Sequence, residues 1–101
     1  MDTDYLTPMA YECILCANDV TDVLKSELGA MCSEFETEDE YLNGILGYVK
    51  KVGKDIEGYL DYWNLLDQTD IKVFIKKIKI LKRHIEKTLT TPIKERGIPE
   101  W

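Results

Sequence analysis

Three cysteines and one histidine are the side chains of this 101-residue sequence with the widest chemical range. Cys13-Ile14-Leu15-Cys16 is a C-x-x-C. With Cys32 and His84 it offers a three-Cys, one-His donor set of the kind that holds zinc. The same spacing also occurs in thiol–disulfide redox pairs, where the attacking cysteine sits at a helix N-terminus and the dipole lowers its pKa. Two features weigh against both chemistries. No second C-x-x-C is present, and Cys13 and Cys16 fall on an apolar stripe with Met9, Val20 and Val23. A reduced cysteine on such a stripe packs as a small hydrophobe. Cys13 also lies more than a turn inside the helix that the spacing predicts. The pattern therefore favours core cysteines, with no metal and no cofactor expected.

Nothing else points to catalysis. His84 is the only histidine. No Ser–His–Asp grouping, phosphate-binding glycine loop or H-E-x-x-H motif accompanies it. Asp61 and Asp67 flank the aromatics Tyr59, Tyr62 and Trp63, but carboxylates are too common for that spacing to count. The expectation is a protein that is not an enzyme.

Charge is the more informative property. The net charge is −6, a poor match for a phosphate backbone. Residues 1–47 carry 11 acidic and 1 basic side chain, whereas residues 48–101 carry 8 acidic and 12 basic. The acidic run Glu34, Glu36, Glu38, Asp39 and Glu40 lacks the central glycine of a calcium loop. It suits a helix dipole or a basic protein partner. At the other pole, Lys72, Lys76, Lys77, Lys79, Lys82, Arg83 and Lys87 crowd one segment in which Glu86 is the only acid among residues 72–87. Like charges four apart on a helix cost a few tenths of a kcal/mol each, so something acidic is expected to offset them: the chain's own acidic half, a second subunit or another protein. Nucleic acid is disfavoured, because no aromatic or Asn/Gln readout residues share that face.

These residues are carried by helices, since no alternating strand pattern occurs. Thr7-Pro8 caps a first helix over about 8–28, with a kink expected near Asn18-Asp19 and a stop at Gly29. Thr37-Glu38-Asp39-Glu40 is a capping box that opens a second helix over about 38–52, ended by Gly53. Gly44 and Gly47 lie inside it, which suggests close approach of another backbone. A third helix covers about 56–66. The fourth, about 70–89, repeats Ile71, Ile78 and Ile85 with Phe74 and Leu81 between them, a seam that short bundles use as well as coiled coils. Val73 and Ile80 fall opposite that seam, with Lys77 and His84 beside them. A second contact surface on this face is expected.

The fold class that follows is all-α: a compact antiparallel four-helix bundle in a single domain of 1–101, with a short tail over 90–101. No apolar run approaches the roughly 18 residues a membrane span needs. The acidic start Met1-Asp2-Thr3-Asp4 is not expected to act as a signal peptide. A cytoplasmic protein with reduced thiols is expected. Its expected role is a small acidic protein-interaction module, homodimeric, with Tyr62, Val73, Lys77, Ile80, His84 and the acidic run as partner-binding candidates. An inhibitor or immunity-type protein that blocks a basic partner is the first alternative. A Cys/His metal-binding or redox protein is the second.

Overall fold

Thr7 starts the first helix as its spacing predicts. Its hydroxyl accepts from the Ala10 N–H at 3.3 Å, and Pro8 takes the first helical position. In the structure, a computed structural model, the backbone of residues 6–62 and 69–99 and the side chains of 6–56 and 72–99 are described. Among these residues the chain folds as helices α1 (Pro8–Val20), α2 (Asp22–Met31), α3 (Glu38–Tyr62) and α4 (Thr69–Thr90), with 3₁₀ turns at Cys32–Glu34 and Ile93–Glu95. No strand occurs among them. The expected all-α bundle is observed, but two of its helix boundaries move.

The expected helix over 8–28 is two helices. Thr21 is extended, with φ −156° and ψ 152°. It serves both neighbours: its N–H donates to the Ala17 carbonyl at 3.1 Å, and its hydroxyl accepts from the Leu24 N–H at 2.9 Å. One residue therefore closes α1 and caps α2, with Asp22 in the following turn suiting the helix dipole. The break falls three residues after the low-propensity Asn18. It re-phases the chain, so Val23, expected on the apolar stripe, is 71% exposed. α2 folds back along α1, and Tyr11 and Ile14 share a groove with Lys25, Ser26 and Gly29. Gly29 does not end a helix. α2 continues to Met31, and no described glycine has a positive φ.

Conversely, the expected helices over 38–52 and 56–66 merge, as far as Tyr62, into α3. Gly53 lies inside it. A Cβ there would sit 3.1 Å from Ile78 Cγ2, so this glycine lets α4 approach rather than stopping α3. Gly44 has a different neighbour from the backbone expected. A Cβ at Gly44 would fall 2.4 Å from Phe35 Cζ, so the ring of Phe35 occupies the side-chain space. Residues 63–68, and with them Trp63 and Asp67, lie outside the described residues.

α4 spans nearly the range its periodicity predicts. Ile78, Leu81 and Ile85 are buried, with Phe74 packed against the core; the Ile71 side chain is not described. They meet Leu42, Ile45 and Val49 of α3 and Ala10, Cys13, Ile14 and Ala17 of α1 in one cluster. α4 is antiparallel to both neighbours. Cys13 and Cys16 of α1 meet Thr88 and His84 of α4 in reverse order, and Gly53 of α3 meets Ile78. Tyr41 ties α3 to α2 by donating from its hydroxyl to the Leu28 carbonyl at 2.7 Å.

One end of the bundle is closed by a buried charge network that the sequence reading did not anticipate. Arg96 Nη1 donates to Glu38 Oε2 at 2.6 Å and to Asp39 Oδ1 at 2.7 Å. Its Nε donates to the Thr91 carbonyl at 2.8 Å. Glu38 also accepts from the Thr7 backbone N–H, and from the Thr7 hydroxyl at 3.1 Å. The start of α1, the start of α3 and the end of α4 are thus joined through one carboxylate and one guanidinium. Burial works to lower the Arg96 pKa, but the hydrogen bonds to Glu38 and Asp39 outweigh it and the net shift is upward.

Candidate functional site

α4 is strongly amphipathic: its seam faces the core and its lysines face solvent. Val73 and Ile80, seven residues apart on the outer face, are 46% and 39% exposed, as their position opposite the seam predicts. Lys77 lies between them and is exposed. Ile80, Lys77 and His84 line a groove of about 340 Å³ whose other wall is Cys16, Asp19 and Val20 of α1. Exposed aliphatic surface, one carboxylate and one ammonium thus share a single patch. Among the described residues neither charge has an ion-pair partner: the ion pairs there are those of Arg96 with Glu38 and Asp39.

Across this groove Cys16 Sγ lies 3.2 Å from His84 Nδ1. The pair is 68 positions apart in sequence, and no local signal could have joined it. The His84 pKa is lowered, first by burial and then by the like charges of Arg83 and Lys87. Cys13, one turn earlier on α1, also meets α4 but deeper in the core. It is fully buried, with Thr88 Oγ1 at 3.5 Å and the Met9 carbonyl at 3.6 Å, and burial pushes its thiol up to about 12. Cys32 is buried in the core at the 3₁₀ turn. The donor set Cys13, Cys16, Cys32 and His84 is therefore not assembled in one chain. Among the described residues no three His, Cys, Asp or Glu side chains group as metal ligands.

The acidic run divides as well. Glu34, Glu36 and Glu40 are exposed. Glu38 is 4% exposed and committed to Arg96 and Thr7, and Asp39 shares the same guanidinium. Glu38 is thereby withdrawn from the expected contact surface: it holds helix ends together. The hydroxyl half of the capping box is present, with Thr37 Oγ1 accepting from the Glu40 N–H at 3.2 Å. The Tyr62 side chain, the remaining candidate, lies outside the described residues.

No helix among the described residues is long and apolar enough to cross a membrane. No protein-family model, curated protein or solved structure matches the chain.

Proposed function

We propose that this chain is a non-enzymatic protein-interaction module of a reducing, cytoplasmic compartment, and that it pairs with a second copy of itself through the α1/α4 groove. The observation that carries this reading is the two-signed apolar patch. A twofold contact puts the same patch on both partners. Asp19 and Val20 line the α1 wall of the groove and Lys77 and Ile80 the α4 wall, so a twofold axis running along the groove lays each copy's α1 wall over the other's α4 wall and sets each Asp19 towards the other copy's Lys77. Val20 and Ile80 supply area removed from water, and the charges fix register. A surface of one sign only would suit a foreign partner better than a copy.

Sedimentation velocity over a concentration series tests this. Val73→Asp/Ile80→Asp is expected to turn dimer into monomer while leaving the helical circular dichroism unchanged, since both side chains are exposed. Asp19→Lys alone places like charges opposite and is expected to weaken the dimer at least tenfold. Adding Lys77→Asp restores opposite charges and is expected to recover most of the loss. A wild-type chain that stays monomeric at high micromolar concentration defeats the reading. So does a double charge swap that fares no better than the single one.

A further inference from the structure

The same groove brings together one thiol and one imidazole with the element types that bind zinc. Cys16 Sγ and His84 Nδ1 face each other at 3.2 Å across α1 and α4. In a tetrahedral zinc site the sulfur stands about 2.3 Å and the nitrogen about 2.0–2.1 Å from the metal, which sets the two donors about 3.5 Å apart. A shift of a few tenths of an ångström would admit the ion between them. Structural zinc needs four ligands, and one chain offers two here. Asp19 lines the groove, yet no described set of three donors is close enough to group.

We propose that the missing pair comes from the second copy: Cys16 and His84 of two chains, related by a twofold axis, form a Cys₂His₂ site for zinc that bridges the dimer. This deepens the self-association reading and rests on it. Closed symmetry repeats any ligand pair that lies near the axis without further design, and Lys77 and Ile80 of the expected interface line the same groove. Soft thiolate with imidazole selects zinc over magnesium or calcium. The proton balance is simple. Each Cys16 thiol loses its proton to solvent, each His84 binds through Nδ1 and keeps its proton on Nε2, and two protons leave per metal ion. Zinc with two thiolates and two neutral imidazoles carries no net charge, so the interface can bury it without a counter-ion.

The test uses the full chain, free of any affinity tag, stripped with chelator and titrated with zinc chloride, then with cobalt chloride as the spectroscopic probe. One metal per two chains is expected by native mass spectrometry, with a dimer dissociation constant at least tenfold lower than in chelator. Cobalt is expected to give the intense visible bands of a tetrahedral site together with thiolate charge transfer. Cys16→Ser and His84→Gln, checked for unchanged helical content, should each remove the metal effect. One metal per chain, or cobalt spectra without thiolate character, overturns the bridge. A dimer that forms in chelator and is indifferent to metal overturns the bridge while the self-association stands. A chain that is monomeric with and without metal overturns both.

Discussion

Burying Glu38 alone would be costly, because a carboxylate taken out of water loses several kcal/mol of solvation even after relaxation. The cost is offset by three donors: the Thr7 N–H and hydroxyl and the Arg96 guanidinium. The balance is asymmetric. Arg96→Met leaves the carboxylate buried and uncompensated, and is expected to destabilise the fold by about 3–5 kcal/mol, read as a lowered urea midpoint. Arg96→Lys keeps the charge but loses the planar fork that reaches Glu38, Asp39 and the Thr91 carbonyl together, so an intermediate loss is expected. A midpoint unmoved by Arg96→Met would mean that the network is ornamental. Half of this arrangement was legible in the sequence. The capping box announced Glu38 at a helix start, but its partner is 58 residues away in a tail with no periodicity to read.

At the scale of elements, the glycines of α3 separate two effects that sequence cannot. Every glycine inside a helix costs about 1 kcal/mol against alanine. At Gly47 no atom lies within 4 Å of a would-be Cβ, so Gly47→Ala is expected to stabilise by up to about 1 kcal/mol. At Gly44 the same methyl would meet the Phe35 ring, which packs edge-on to Tyr41 with centroids 6.2 Å apart. There the propensity gain is opposed by displacement of the ring, and Gly44→Ala is expected to be destabilising. Thermal melts of the two variants in parallel decide it, and equal shifts of the same sign would refute the distinction. Helix phase was legible wherever one face is buried, as in α4. Helix ends were not. Thr21 and Gly53 have opposite outcomes because each depends on what packs nearby: Thr21 has both side-chain and backbone partners for a break, and Gly53 has Ile78 against it.

The whole molecule measures about 48 × 27 × 19 Å and carries a net charge of −6, which sets two electrostatic ranges in competition when copies meet. Repulsion between the net charges acts over molecular distances; in the proposed twofold pair, attraction between each Asp19 and the opposing Lys77 acts only at contact. At about 10 mM salt the Debye length is about 30 Å, comparable with the molecule's shorter axes, and the repulsion is barely screened. At about 100 mM it is about 10 Å, and the repulsion between centres is largely gone while the contact pairs persist. Dimer affinity is therefore expected to rise from low to moderate salt, then fall a few-fold towards 1 M, where the Debye length of about 3 Å weakens the contact pairs as well. The outer face of α4 was legible in advance, because Val73 and Ile80 share a heptad phase opposite the seam. The other wall of the groove was not, since Asp19 and Cys16 reach it only through the antiparallel packing of α1 on α4. The salt series probes that second wall. An affinity that falls steeply and continuously from the lowest salt would mean that whole faces of opposite sign attract, the acidic residues 1–47 of one copy against the basic α4 of the next. That arrangement is head-to-tail, and it would replace the twofold contact.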